Sequence, residues 1–168
     1  MERCEECGFT YQLDEADVAG PSIVEAADRL AAVLTDVGAD QLRRRPGPEV
    51  WSPLEYACHL RDVFLVQRER VITARRVERP AVQPMGRDER VDYDGYAAQD
   101  PADVARQLGD AARLFANVLA RLGGADWERT VLYGYHPREA ERTLRWVAVH
   151  TEHEARHHLP DVERQLDQ

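Results

Sequence analysis

The sequence predicts an all-α protein, a four-helix bundle with an irregular N-terminal arm. Apolar residues recur at steps of three and four along four long stretches, which is the period of a helix buried on one side. The stretches between them carry proline and glycine and little of the alternation that marks strands. The 168 residues suffice for one domain with a core. We therefore expect an arm over residues 1–20 and a bundle domain over residues 21–168.

The amino-acid composition limits the kinds of partner that the protein is expected to bind. Hydrophobic residues make up 43% and charged residues 32% of the chain, which is typical of globular proteins. The net charge of −9 disfavours nucleic acid and membrane surfaces, because both attract basic faces. No apolar run approaches the roughly 18 residues that span a bilayer, and no secretory signal pattern appears. We expect a cytoplasmic protein that acts on a small-molecule substrate, and the three cysteines, an odd number, suit a reducing compartment. Bundles of this size often pair through a helix face, so we also expect a homodimer.

The second helix has the clearest start. Ser52 is a typical N-cap residue, Pro53 suits the first helical position and Glu55 completes a capping box. Trp51 and Tyr56 are spaced to pack across the cap as a hydrophobic staple. These signals predict a rigid, well-anchored helix, so any functional side chain on it will be held firmly.

The other three helices follow from the apolar period. The first is predicted at about 22–37, the third from Asp100 to just before Gly123, and the fourth from about Thr143. Pro160 lies within the fourth periodic stretch. It lacks an amide hydrogen and its ring crowds the preceding turn, so we expect a kink or an end there.

Two connections are expected to shape a pocket. The polar segment 78–100 is long for a connection within a domain, which favours a lid or pocket wall. The sequence at residues 130–133 predicts a short extended segment. Tyr133 and Tyr135 are candidate pocket residues. His136 follows them in a loop that contains glycine and proline.

The fourth helix carries four of the six histidines, at positions 150, 153, 157 and 158. At about 100° per residue, His150, His153 and His157 form one stripe. Imidazoles on one helical face suit a divalent transition metal, although a polar helix can also be a simple solvated face. One helix cannot close such a site, so at least one ligand must come from elsewhere, and His59 on the second helix is placed to supply it.

A site of His59, His153 and His157 would have three protein ligands and an open fourth position, as reactive metal sites do. His150 lies on the same stripe and ranks behind the pair at 153 and 157. His158 points about 100° away from His157 and is expected outside the site, at the surface or against a neighbouring helix. Asp62, on the same face as His59, is the expected orienting group in the second layer around the metal. Glu154 and Asp161 are weaker candidates for that role.

Two segments carry a family resemblance. Residues 51–62, WSPLEYACHLRD, and residues 153–162, HEARHHLPDV, resemble the second-helix and fourth-helix signatures of the DinB/YfiT-like superfamily. The resemblance covers about residues 21–165 and implies a four-helix bundle that holds zinc or nickel. It also implies His59, His153 and His157 as the ligands. Pro160 departs from the pattern, because many relatives carry a polar residue there.

The resemblance also implies a range of activities. Some members are similar to thiol S-transferases and isomerases that use bacillithiol, mycothiol or glutathione, and others resemble metal-dependent hydrolases. The N-terminal Cys-x-x-Cys-Gly-Phe resembles an actinobacterial branch, which points to mycothiol. Our leading prediction is a metal-dependent thiol S-transferase or isomerase acting on a small electrophile. The first alternative is a hydrolase with Asp62 or Glu154 as base, and the second is a non-enzymatic, metal-stabilised binding or sensor module.

The cysteines leave three interpretations open. Cys4 and Cys7 have the spacing of half a zinc site, and no second such pair exists in the chain. They form a lightly structured arm, join the histidines on a metal, or act in redox chemistry. The arm is long enough to reach the bundle site, and two added thiolates would close that site. Cys58 points away from its neighbour His59 and is expected in the core.

Overall fold

Four long helices form the body of the protein, which confirms the predicted four-helix bundle. The structure is a computed structural model that describes residues 2–135 and 138–166. Its helices are α1 (Ala19–Asp36), α2 (Ala39–Arg43), α3 (Pro53–Arg76), α4 (Arg87–Tyr93), α5 (Pro101–Leu119), α6 (Gly124–Trp127) and α7 (Leu144–Leu166). Its strands are β1 (Ala81–Val82), β2 (Thr130–Tyr135) and β3 (Arg138–Thr143). No helix in the described ranges is long and apolar enough to cross a membrane.

The core lies where the four long helices meet. Helix α5 packs against α1 and α3, and α7 packs against the other side of the same two helices. Each helix contributes apolar side chains that are fully or almost fully buried. Examples are Ile23 and Leu30 on α1, Phe64 on α3, Phe115 on α5, and Val147 on α7. Cys58 is also fully buried, as predicted.

The start of α3 is fixed by the predicted capping box. The Ser52 hydroxyl accepts from the Glu55 amide at 3.3 Å, and the Glu55 carboxylate accepts from the Ser52 amide at 2.8 Å. Arg45 also donates to both Glu55 oxygens, at 2.6 and 2.8 Å. The Trp51 and Tyr56 rings meet at 5.5 Å between centroids, so the staple forms too. His59 therefore lies about two turns into a helix whose start is firmly held.

A small sheet and several short helices fill the stretches that we predicted as loops. The predicted extended piece at 130–133 is confirmed as part of β2. It pairs in parallel with β1 and antiparallel with β3, in the order β1-β2-β3. Strand β3 has the polar sequence Arg-Glu-Ala-Glu-Arg-Thr, which lacks the apolar alternation that identifies strands. Helix α4 lies within the predicted loop 78–100.

Helix α7 does not end at Pro160, contrary to one of our two expectations for that position. The helix continues for six residues beyond it, to Leu166. Leu159 and Val162 flank the proline and are 5% and 0% exposed. Burial on both sides of the proline outweighs the one amide donor that proline removes.

The N-terminal arm folds back over α7 as a tight turn, followed by a 3₁₀ helix at Leu13–Val18. The Cys4 amide donates to the Phe9 carbonyl at 2.8 Å, and the Gly8 amide donates to the Cys4 carbonyl at 3.0 Å. Gly8 has a φ of 75°, which glycine adopts at little cost. Tyr11, at the end of the turn, is 8% exposed and packs against the last helix. The arm thus lies directly over the histidine-rich part of α7.

Candidate metal centre

Helix α7 presents two potential ligand pairs with the same i, i+4 spacing. One pair is His153 and His157, and the other is Glu154 and His158. The pairs are offset by one residue, so they point about 100° apart around the helix axis. The first pair faces the N-terminal arm and the second faces α3. This division decides which side chains from the rest of the fold can join each pair.

The α3-facing group consists of His59, Glu154 and His158, whose potential ligand atoms all lie within 4.8 Å of one another. Glu154 Oε2 is 3.8 Å from His59 Nε2 and 3.8 Å from His158 Nε2. His59 is 1% exposed, and both of its ring nitrogens are buried without a hydrogen-bond partner. A buried imidazole without partners is costly, and a metal ion would satisfy it. The side chains of this group therefore fit a divalent ion.

A carboxylate behind His158 orients its ring. Asp161 Oδ2 lies 3.3 Å from His158 Nδ1, which leaves Nε2 directed towards Glu154. Metal-binding histidines commonly have such a partner on their second nitrogen, because it fixes the ring and raises its basicity. Asp161, which we ranked as a weaker candidate for an orienting role, takes this position.

Asp62, our first candidate for that role, has other partners. Its carboxylate accepts from Tyr96 Oη at 2.7 Å, from Arg61 Nε at 2.8 Å and from a nitrogen of Arg90 at 3.2 Å. None of these three partners is a histidine. Asp62 thus holds α3 against α4 and the residues that follow α4.

The local electrostatics prepare the α3-facing group for a cation. Burial by itself would raise the pKa of Glu154, but interactions with His158, His59 and His150 outweigh it and hold the pKa well below its usual range. Burial lowers the pKa of His59, and it lowers that of His150 to about 4. Burial would also lower the pKa of His158, but Asp161 and Glu154 raise it above its ordinary value. Glu154 therefore stays ionised, and His59 stays neutral with a lone pair available near neutral pH.

The arm-facing group consists of Cys4, Cys7, His153 and His157, which also have potential ligand atoms within 4.8 Å of one another. Cys4 Sγ lies 3.9 Å from His157 Nδ1. Sulfur and nitrogen ligands of a tetrahedral zinc ion are about 3.6 Å apart at the usual bond lengths. His153 Nε2 is buried without a hydrogen-bond partner. These four side chains therefore fit a tetrahedral ion as well.

Tyr11 connects the arm to the histidine stripe. Its hydroxyl lies 3.0 Å from His153 Nδ1 and 2.9 Å from His150 Nδ1. His150, the predicted reserve ligand, is stacked on Trp146 with 4.3 Å between the ring centroids. Two smaller groups overlap the main ones and share their residues: His150 with His153 and Glu154, and His157 with His158 and Asp161.

Two cavities border the α3-facing group. One, of about 460 Å³, is lined by His59, Glu154 and His150, together with Tyr133 and residues 84–87. The other, of about 420 Å³, is lined by His158. Two arginines and two aromatic residues also line this second cavity: Arg45, Arg87, Trp51 and Tyr56. The lining of these two cavities includes no residue of the arm-facing group among the described residues.

The structure thus distributes the three predicted ligands over two groups. His153 and His157 lie together with the tentative ligands Cys4 and Cys7, whereas His59 lies with Glu154 and His158. Sequence reasoning set His158 aside because it assigned the pair at 153 and 157 to His59. Glu154 and His158 have the same i, i+4 spacing one residue later, and that spacing could have identified them as a second ligand pair. The side chain of Tyr135, and all of His136, lie outside the described residues.

The protein is thus a four-helix bundle whose last helix carries side chains that could hold a metal ion. The chain matches the sequence profile of the DinB superfamily over residues 22–161, and it belongs to that superfamily. A comparison with curated proteins found no match.

The fold is similar to that of YfiT from Bacillus subtilis, which is described as a probable metal-dependent hydrolase with an unusual four-helix bundle topology. The TM-score is 0.78 at 16% sequence identity, and the match covers 99% of this chain and 95% of that one. At this identity the likeness establishes the fold.

Proposed function

We propose that the protein is a metal-dependent hydrolase of a small molecule, with His59, Glu154 and His158 as its metal ligands. The observation that carries the proposal is the convergence of two imidazoles and one carboxylate at the wall of a 460 Å³ cavity. Two histidines and a glutamate are a donor set of catalytic zinc sites in hydrolases. Zinc is the first candidate, and nickel accepts the same donors. A divalent ion bound here supplies Lewis acidity and makes water a better nucleophile near neutral pH.

The residues of the chain prepare this site in three ways. His59 is held by the capped start of α3 and is covered by the Trp51 ring at 5.1 Å between centroids. His158 is oriented by Asp161. Glu154 remains a carboxylate, so its charge offsets part of the charge of a divalent ion. Ligands held in this way need little reorganisation when an ion binds.

The larger cavity suggests the kind of substrate. Its volume suits a small molecule. Arg70 and Gln67 each donate to the Tyr133 hydroxyl, at 2.6 and 2.8 Å, which fixes a polar wall near the metal ligands. Arg70 and Arg87 belong to the lining, together with Glu89. The two arginines favour a substrate with a carboxylate or another anionic substituent.

Thiol transfer is the second candidate function. Three protein ligands leave a further position on the ion, and a low-molecular-weight thiol such as mycothiol would place its sulfur there. The similarity in fold to YfiT, a probable metal-dependent hydrolase, supports hydrolysis as the first choice. The cavity is large enough for part of a thiol cofactor or for an electrophile. Hydrolysis and thiol transfer can therefore be compared at the same site.

An assay of matched variants separates the candidates. The protein is loaded with zinc or nickel and tested on activated esters and amides, and in parallel on a thiol with an electrophile. Glu154→Gln removes a proposed ligand charge. Glu163→Gln makes the same change about two and a half turns further along α7, where the carboxylate is partly exposed and paired with Arg29. We expect Glu154→Gln to lower hydrolysis more than a hundredfold and Glu163→Gln to leave it unchanged.

Each outcome has a definite meaning. Metal-dependent turnover of the ester or amide supports the hydrolase, and turnover of only the thiol pair replaces it with the transferase. If neither reaction depends on metal or on Glu154, the enzymatic proposal is wrong. The predicted alternative, a metal-stabilised binding or sensor module, would then explain metal binding better.

A further inference from the structure

We infer that Cys4, Cys7, His153 and His157 form a second metal site, separate from the proposed hydrolytic one, which fastens the N-terminal arm to α7. Its role is structural, and a zinc-class ion is the ligand that its donors favour. The inference goes beyond the proposed function, because it assigns a task to residues that hydrolysis does not use.

The donor set identifies the ion and the role. Two thiols spaced Cys-x-x-Cys and two imidazoles spaced His-x-x-x-His make four donors, as many as a tetrahedral zinc ion takes in structural sites. Four protein donors leave no position for water or substrate. Two thiolates also balance the charge of a divalent ion. Such a site is closed and neutral, which suits structure and not catalysis.

His153 gives an independent indication of a ligand. The residue is 8% exposed, and its Nδ1 is engaged by the Tyr11 hydroxyl at 3.0 Å. Its other ring nitrogen, Nε2, is buried and has no hydrogen-bond partner. Leaving a buried polar atom unpaired costs about 1–3 kcal/mol. An ion between His153 and the two thiols would supply the missing partner.

His157 is oriented in the same manner. Its Nδ1 lies 3.9 Å from Cys4 Sγ, and its Nε2 lies 3.3 Å from a carboxylate oxygen of Glu6. A carboxylate on the nitrogen remote from the metal fixes the ring of a ligating histidine. Glu6 lies between the two cysteines, so the same turn supplies both donors and this support.

The shape of the arm explains why an ion is needed there. The turn at Cys4–Gly8 is closed by backbone hydrogen bonds, but a short isolated turn of this kind is marginally stable in water. The aromatic anchors of the arm are Phe9, which lies 5.3 Å from the His153 ring, and Tyr11. An ion would join residues that are almost 150 positions apart in sequence, and closing so long a loop constrains the unfolded chain strongly.

The test uses the full-length protein with cobalt in place of zinc, followed by metal analysis, absorption spectra and hydrogen exchange. We expect two ions per chain and intense thiolate-to-cobalt charge-transfer bands. The double variant Cys4→Ser, Cys7→Ser should lose these bands and one ion, and residues 4–12 should exchange faster. Cys58→Ala removes the buried core thiol and should keep the bands. His158→Ala should lose one ion and also keep the bands.

Two results would overturn the inference. One is a wild-type protein that binds metal without thiolate bands. The other is loss of the bands in His158→Ala, because the thiols and the α3-facing residues would then share one site. If the double variant fails to fold, His157→Ala decides, because it keeps both thiols and removes one donor. The inference requires that this variant lose or shift the thiolate bands while one ion remains bound.

Discussion

The arm-facing group and the α3-facing group use the same spacing on the same helix, yet they suit different chemistry. His153 and His157 meet two thiols from a surface turn, whereas Glu154 and His158 meet His59, an imidazole from the bundle core. Four donors including two thiols close a tetrahedral site, and three donors leave one position open. The second group also borders cavities that a substrate can enter. In our proposal, a rotation of one residue around a helix thus separates a structural site from a reactive one.

The carboxylates that orient the histidines of the two groups also differ, because one is more buried than the other. His158 is backed by Asp161, which is 22% exposed, whereas His157 is backed by Glu6, which is 81% exposed. His59 sits on a helix whose start is held by a capping box and by Arg45. The α3-facing group is therefore built into the bundle, whereas the arm-facing group depends on a surface segment that, by our inference, a bound ion would help to hold.

The largest expected effect is that of His59→Ala. It removes the donor from α3, so metal-dependent turnover should fall about a thousandfold or more, because the ion supplies several kcal/mol of transition-state stabilisation. The variant should bind one ion fewer and keep its thiolate-to-cobalt bands. Steady-state kinetics and metal analysis measure both effects. Loss of the bands would show that His59 shares an ion with the thiols.

Added zinc should stabilise the protein through both groups. A ligand at 100 times its Kd stabilises the folded state by about 2.7 kcal/mol per site. Urea unfolding with and without zinc should therefore show that amount missing from Cys4→Ser, Cys7→Ser relative to wild type. Cys58→Ala is the control for thiol removal and should keep the full zinc-dependent gain. An undiminished gain in the double variant would argue against the arm-facing site.

The two supporting carboxylates should differ in importance. Asp161→Asn is expected to weaken metal binding at the α3-facing group by about 10–100-fold, as is usual for such partners. Glu6→Gln should weaken the arm-facing site by less than that, because solvent competes with an exposed carboxylate. Competition with a metal-binding dye measures both. If both variants lost metal affinity to the same extent, the two sites would not differ as a buried and a surface site should.

The smallest effect concerns the cap that positions His59. Burial would raise the pKa of Glu55, but hydrogen bonds from Arg45 and Ser52 outweigh it and lower the pKa. A lowered folded-state pKa gives stability that is present above the unfolded value, about 4.3, and is lost as the pH falls through the folded value. Glu55→Gln should cost about 1–2 kcal/mol at pH 7 and flatten this acid dependence. Urea unfolding between pH 7 and pH 3 checks the sign.

Local signals predicted the helical frame, and long-range contacts decided the rest. The start of α3 was predictable because Ser52, Pro53 and Glu55 act within one turn. Strand β3 was missed because its sequence is polar, and its pairing with β2 depends on residues outside its own sequence. Likewise, the fourth helix was predicted to carry ligands, but its rotation relative to α3 depends on packing of the whole bundle. That rotation decides whether His157 or His158 faces His59.

Two neighbouring histidines offer the most direct test of two separate metal groups. His157→Ala and His158→Ala are compared by metal analysis, cobalt spectra and turnover. We predict that His157→Ala loses or shifts the thiolate-to-cobalt bands and keeps turnover, whereas His158→Ala keeps the bands and loses turnover. Each variant should bind one ion fewer than wild type. If the two variants lose the same ion, the bands and the activity together, a single shared site exists and this account is wrong.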